Sequence, residues 1–321
     1  MQVSIIIPTY NRPKDLAECL DSISNQAYLP FEVLIIDNGN VAETKKFVKK
    51  NLSKFGKRNI SLSYIKNDKE NSLTLARNIG ARNARGDIVL FLDDDVILDK
   101  DYLKEILKVY EEQPDALGVQ GFIEQEKVSK IRNIIYKIFF LYHLERNCCR
   151  ALPSGSVTYP YELGRTVSCQ WLSGASSYRK QILKEFKFDE KLKKYSDGED
   201  LEFSYRVFRK YQNSLYITPY AKMIHKTAFS GRALGKELIN MREVYGLYIF
   251  YKFFNHTIRD RFIYIWSRIG RFLITLVRVA IRRPTGGLLE LIYLVGAYYL
   301  CLRHLGDIKQ GKLEFFNQTL V

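Results

Sequence analysis

Cysteine is scarce in this chain and falls where it can build neither a staple nor a metal centre. Cys19, Cys148, Cys149, Cys169 and Cys301 are odd in number and lack the paired spacing of zinc ligands. A disulfide framework and a zinc finger are both excluded, and a reducing compartment is expected. No charged leader with an apolar core opens the sequence: Met1 to Pro8 runs straight into a strand pattern, which predicts a cytoplasmic protein. No G-x-G-x-x-G follows the first strand. Gly231 to Lys236 is not a P-loop, because its spacing is wrong and Glu237 stands where Ser or Thr is needed. Dinucleotide oxidoreductases and P-loop NTPases therefore fall away. A clean membrane span is missing too, since the apolar run Leu288 to Leu302 carries Glu290 and is shorter than the roughly 20 residues a helix needs to cross.

What is present is apolar mass and positive charge. Hydrophobic residues make up 46% of the 321, enough for one large or two ordinary domains. Lysine and arginine exceed the acids by a net +15, which implies an anionic partner: nucleic acid, anionic lipid or a phosphorylated substrate. No block of consecutive basic residues and no helix-turn-helix signature occurs, so nucleic acid is not expected.

The most informative stretch is Ile88 to Leu98. Five apolar residues read as a strand buried on both faces, followed by Asp93, Asp94 and Asp95. Side chains alternate along an extended segment, which would put Asp93 and Asp95 on one side and Asp94 on the other. Paired carboxylates at the end of a buried strand make a hard-oxygen site for Mg2+ or Mn2+. The plainer alternative is a polar strand end that caps the next turn.

Other strands are expected at Val3–Ile7, Phe31–Ile36 and Ser61–Ile65, the second ending in Asp37. Helices are expected at Lys14–Ile23, Val41–Asn51 and Leu73–Ala84, the last carrying Arg77. Regular alternation of strand and helix argues for a doubly wound sheet with right-handed crossovers.

Several motifs then line up in order. Ile-Ile-Ile-Pro8-Thr9-Tyr10-Asn11-Arg12, Ile-Ile-Asp37-Asn-Gly, Ala76-Arg77-Asn78-x-Gly80 and Phe91-Leu92-Asp93-Asp94-Asp95 together resemble the family 2 glycosyltransferases of GT-A fold. Trp171-Leu-Ser173-Gly174-Ala, Phe188-Asp189-Glu190 and Gly198-Glu199-Asp200 resemble that family's acceptor side, and His225 sits where such enzymes often carry a histidine. The resemblance implies an α/β GT-A domain over 1–228, with a nucleotide-sugar half at about 1–98 and an acceptor half at about 99–228; beyond it the motifs stop, and composition predicts a helical, membrane-associating extension over 229–321.

The resemblance also implies roles. Pro8, Thr9, Tyr10 and Arg12 would line the nucleotide and Asp37 would bond its base. Arg77 would position the nucleotide or diphosphate, and Asp94 would take the ribose. Asp93 and Asp95, with His225 as a further ligand, would hold Mn2+ or Mg2+, and Trp171, Ser173, Gly174 and Glu199 would face the acceptor. Asp200 would be the general base of an inverting transfer from a UDP-, GDP- or dTDP-sugar to a glycan or polyprenyl-linked acceptor. One departure is Asp37-Asn38-Gly39-Asn40, where such families often read Asp-Asp-Gly-Ser. A retaining transferase on the same fold and a noncatalytic nucleotide-sugar or nucleic-acid binding module are the alternatives.

Acids around 197–202 also suit a helix start, which they stabilise through its dipole. Ile131 to Leu144 reads either as a core helix or as an apolar flap near the acceptor, and Pro153 to Pro160 as a loop. Three helices follow at Leu234–Phe254, Asp260–Arg283 and Leu288–Leu302. In the second, Arg261, Arg268, Arg271, Arg278 and Arg282 share one side opposite Trp266, Ile269, Leu273, Leu276, Val277 and Ala280. The pattern predicts a basic amphipathic helix lying on the anionic inner face of the cell membrane.

Overall fold

The computed structural model describes residues 1–321 except 31, 40–41, 124–127, 227–233, 282–285 and 321. The chain forms two compact units, of which the first comprises Met1–Gln125, Tyr161–Tyr195 and Glu199–Gly231. It begins β1 (Val3–Thr9), α1 (Pro13–Ser24), β2 (Glu32–Asp37), α2 (Ala42–Gly56), β3 (Ser61–Lys66), α3 (Leu73–Asn83) and β4 (Ile88–Phe91). These are the expected elements. The second helix runs five residues past Asn51 because Phe55 keeps its apolar face buried.

The aspartate strand is interrupted. β4 stops at Phe91, and Val96–Leu98 forms a separate strand, β5, that leaves the neighbourhood of β4. A turn in which the Val96 amide donates to the Asp93 carbonyl (3.3 Å) holds the three aspartates between them. Next come α4 (Tyr102–Glu112) and β6 (Gly118–Ile123). Beyond them lie α5 (Lys130–Ile138), β7 (His143–Arg146) and β8 (Thr158–Glu162). Returning to the first unit, the chain forms β9 (Val167–Ser168), β10 (Ser177–Arg179), α6 (Lys180–Glu185), α7 (Glu199–Lys210) and β11 (Leu215–His225).

The main sheet runs β3-β2-β1-β4-β10-β6-β11-β5, with β9 on β11. β1 to β4 pair in parallel, β10 is antiparallel to both its neighbours, and β5 is antiparallel to β11. β1, β2 and β4 are buried along their whole length, as apolar strands covered by helices on both faces must be. The register sets His225 of β11 opposite Val96, one residue after the aspartates.

The second unit contains Glu126–Pro160, Ser196–Gly198 and Arg232–Val321. Its main helices are α8 (Gly235–Phe253), α9 (Ile258–Ile281) and α10 (Gly286–Arg303), close to the expected bounds. The expected boundary between 228 and 229 lies outside the described residues. Glu126–Pro160 groups with the C-terminal helices rather than with the sheet, because Phe139 packs on Gly270 of α9 and the Trp266 indole donates to the Ile138 carbonyl (2.9 Å). The core-helix reading of Ile131 to Leu144 is not met by α5, which buries none of its residues.

α9 has the expected two sides, and its arginines at 268 and 271 lie on the side toward α8. Arg268 and Arg271 point inward and donate to Glu243 of α8 at 2.9 and 2.8 Å, while Arg278 pairs with Glu290 of α10 at 2.9 Å. Ile269, Leu273, Leu276 and Val277 face solvent. Glu243, 1% exposed, is a buried carboxylate that demands a counter-charge, and the two partly buried guanidiniums supply it from the neighbouring helix. Arg282 lies outside the described residues.

Burial alone would raise the Glu243 carboxyl, but Arg268 and Arg271 outweigh it and hold the group below its ordinary value. A carboxyl held low in the fold stabilises above its unfolded value and loses that contribution as pH falls. Glu243→Gln is therefore expected to lower stability at pH 7 by about 3 kcal/mol. In urea unfolding, the gap between this variant and the natural protein should narrow as pH drops below 4.5.

Candidate active site

The donor-side cleft is built where β1 and β4 end. Pro8, Thr9, Tyr10 and Arg12 line it from the β1–α1 loop, and Asp93, Asp94 and Asp95 line it from the turn after β4. Asn38, Asn71, Leu73, Lys194 and Tyr195 complete the wall. Of those five the sequence drew attention only to Asn38, as part of the departure from the family's Asp-Asp-Gly-Ser. Lys194 comes into place because its left-handed backbone (φ +54°) lets its carbonyl accept the Leu73 amide at 2.9 Å, a pairing across 121 positions that no local pattern announces.

Asp94 is the middle aspartate and turns away from the other two. Its Oδ2 accepts the Thr9 hydroxyl at 2.7 Å and its Oδ1 accepts Arg12 at 3.1 Å, so it ties the β1–α1 loop to the aspartate turn. Burial raises its carboxyl to about 7, against the opposing pull of Thr9 and Arg12. Arg12 also lies 3.6 Å from Asp95.

Asp93 and Asp95 meet His225. The imidazole Nε2 is 3.0 Å from Asp95 Oδ1 and 3.9 Å from Asp93 Oδ2, and one ligand atom from each of the three lies within 4.8 Å of the others. Two carboxylate oxygens and one imidazole nitrogen form a donor set that suits Mn2+ or Mg2+. The expected split of the aspartates is present, though a turn rather than strand alternation produces it. Asp95 is almost fully buried, so it also belongs to the packed interior.

Three residues expected at the nucleotide stand back from the cleft wall or face elsewhere. Asp37 is 1% exposed, and its two oxygens accept the Gly39 amide (2.8 Å) and the Tyr64 hydroxyl (2.7 Å). Asn40 lies outside the described residues. Arg77, fully buried on α3, donates to Glu199 at 2.9 Å and to Asp93 at 3.3 Å, with its guanidinium over the Phe188 ring. It reaches the donor side through Asp93 rather than directly. Gly174 makes room for it: a Cβ there would sit 2.5 Å from Arg77 Nη2. The third is Asp94, whose two oxygens are already engaged although it lines the cleft.

The acids at the start of α7 have separate duties. Asp197 pairs with Arg242, Glu199 with Arg77, and Glu202 with Arg206. Asp200 stays half-buried, its Oδ1 accepting the Leu201 amide at 2.7 Å, which is the capping role that helix starts favour. Burial, then the charge of Asp200, raises the Glu199 carboxyl in spite of Arg77. Trp171 is buried, the Leu172 amide donates to Ser204, and the Ser173 amide donates to Gln120. Ser173 Oγ is buried with no hydrogen-bond partner among the described residues.

The profile of glycosyl transferase family 2 matches residues 4–170, more than half of the chain, with the β1–α1 loop and the aspartate turn inside the match and Lys194, Tyr195 and His225 beyond it. The chain belongs to glycosyl transferase family 2. A Methanococcus voltae protein named dolichyl N-acetyl-alpha-D-glucosaminyl phosphate 3-beta-D-2,3-diacetamido-2,3-dideoxy-beta-D-glucuronosyltransferase is 27% identical to this glycosyltransferase over 304 residues, covering 91% of this chain and 84% of its own. A Haloferax volcanii glucosyl-dolichyl phosphate glucuronosyltransferase is 29% identical over 132 residues, 40% of this chain and 41% of its own length. An uncharacterized glycosyltransferase of Haemophilus influenzae, 32% identical over 113 residues, is spanned to 36%.

Two solved structures share the GT-A fold of this family 2 chain. The crystal structure of GalNAc-T7 with UDP, GalNAc and Mn2+ superposes with a TM-score of 0.58 at 13% identity, covering 84% of this chain and 55% of that one. A mannosyltransferase of Pyrobaculum calidifontis in complex with GDP-Man and Mn2+ gives 0.56 at 14% identity, covering 97% and 85%.

If Asp93, Asp95 and His225 ligate a divalent ion, Asp95→Asn should weaken Mn2+ binding by roughly tenfold or more, read by calorimetry without donor. Unchanged affinity would remove Asp95 from the ligand set.

Proposed function

We propose that this chain is an inverting, metal-dependent glycosyltransferase that moves a sugar from a nucleoside-diphosphate donor to a hydroxyl of a lipid-linked or surface-glycan acceptor. The observation that carries the reading is the convergence of Asp93, Asp95 and His225 at the wall of a cleft lined by Pro8, Thr9, Tyr10 and Arg12. The UDP and GDP-Man complexes of its fold neighbours support a nucleotide sugar bound with Mn2+, and the base, UDP-, GDP- or dTDP-type, is set by the wall near Asn38. The dolichyl phosphate named for two relatives supports a polyprenyl-linked acceptor, used at the inner face of the cell membrane. No helix among the described residues is long and apolar enough to cross a membrane.

In this reading Asp93, Asp95 and His225 would hold a Mn2+ or Mg2+ ion, which would supply positive charge to the departing diphosphate. Thr9 and Arg12, fixed by Asp94, shape the floor on which the nucleotide rests. Asp37 acts behind that floor, holding the Gly39 amide and Tyr64 in place beside the base. Arg77 neutralises Glu199 and steadies Asp93 from behind. That division leaves Asp200 as the half-exposed carboxylate of the α7 start that can accept the acceptor hydroxyl's proton as its oxygen attacks the anomeric carbon. Trp171, Ser173 and Gly174 form the acceptor side of the same segment.

Asp200→Asn should keep donor affinity and lower transfer by roughly 10²-fold or more. Donor affinity is measured by calorimetry and transfer by product formation, with the anomeric configuration of the product assigned by NMR. Equal loss of affinity and rate would place Asp200 in the donor site, and retained configuration would replace the inverting reading with a retaining one.

A further inference from the structure

α5 is held with its polar side toward the protein and its isoleucines outward. Asn133 donates to the Leu144 carbonyl and accepts the Leu144 amide, both at 2.8 Å. On the opposite face Ile131, Ile134 and Ile138 are 71%, 58% and 54% exposed, with Ile135 beside them. At about 100° per residue these four isoleucines occupy an arc of roughly 100°. Lys130, Arg132 and Lys137 border that arc on both sides, and α5 contains no acid. A nine-residue helix is marginal by itself and draws its stability from burying an apolar face, yet α5 buries none of its residues.

The same surface continues onto α9. Phe139, directly after α5, rests on Gly270, where a Cβ would come within 2.1 Å of its ring, and tilts against Trp266 with ring centroids 5.2 Å apart. α9 presents Phe262, Ile265, Ile269, Leu273, Leu276 and Val277 as a solvent-facing stripe, while its arginines are spent inward on Glu243 and Glu290. Exposed apolar surface of this extent, rimmed by charge, marks an interaction site.

The geometry points to an anionic lipid bilayer as its occupant: α5 and the outer stripe of α9 insert their apolar side chains at the acyl boundary while Lys130 and Arg132 meet the headgroups, Lys137 being paired with Glu145 at 3.0 Å. A second copy of this chain fits poorly, because a two-fold contact would set the acid-free cations of α5 against themselves. This assignment rests on the lipid-linked acceptor reading and deepens it. It adds α5 to the expected interfacial helix and gives the cations of α5, rather than the arginines of α9, to the headgroups.

The test is co-sedimentation with vesicles of phosphatidylcholine alone and of phosphatidylcholine mixed with phosphatidylglycerol. The natural protein should sediment with the mixed vesicles and less with the neutral ones. Ile131→Ser/Ile134→Ser/Ile138→Ser, and separately Leu273→Ser/Val277→Ser, should each weaken that binding by roughly tenfold or more with unchanged thermal unfolding midpoints, because only exposed side chains change. Failure of the natural protein to sediment, equal binding to both vesicle types, or equal binding by the serine variants would overturn the inference. So would conversion of a dimer to a monomer by those variants without loss of vesicle binding. A protein that binds vesicles through these residues but transfers no sugar would defeat the functional reading and leave this face standing.

Discussion

Consecutive carboxylates at a buried strand end repel one another, by about 4 kcal/mol for unit charges 4 Å apart at an effective dielectric of 20. The architecture around the cleft is an answer to that repulsion. The chain breaks its strand at Phe91, so the three groups splay around a turn rather than stacking along an edge. Arg12, at the start of α1, draws Asp94 aside; Arg77, on α3, reaches Asp93; and His225, on β11, meets Asp95. Elements from distant parts of the chain are thus committed to one patch of negative charge.

Arg77 ties Asp93 to the start of α7 because its one guanidinium reaches both Asp93 and Glu199. Its guanidinium is fully buried, which is tolerable only with carboxylates in contact, and Glu199 and Asp93 are those carboxylates. The consequence is a division of labour among the acids at the start of α7. Glu199 is neutralised structurally, which leaves the adjacent Asp200 half-exposed. Cys19 lies buried beneath the aspartates, and burial together with the charges of Asp94, Asp95 and Asp93 pushes its thiol well up, so it stays protonated as a small packing group.

The second unit obeys the same rule with the signs exchanged. Glu243 sits buried on α8, and Arg268 and Arg271 turn inward to meet it. Once α9 spends its cations on that partner, its isoleucines and leucines have nowhere to go but outward. The charge pattern of the helix is the one read from its sequence, and the direction it faces is set by an acid on another helix.

Local patterning was sufficient for the elements themselves: β1, β2, β3, the helices between them and the three C-terminal helices fall within a few residues of their periodicity and breaks. The ordered motifs were sufficient for the family and fold, and the triple aspartate for the donor side. Separations of a hundred residues or more were decided only by tertiary structure. Periodicity along a chain says which residues share a face, but the partner of that face is fixed by long-range packing and charge. That is why Lys194 at the cleft and Glu199 on Arg77 had no signature, and why the grouping of residues 126–160 with the C-terminal helices had none either. Helix periodicity alone put the arginines of α9 on one side; one buried glutamate on α8 decided that Arg268 and Arg271 face it.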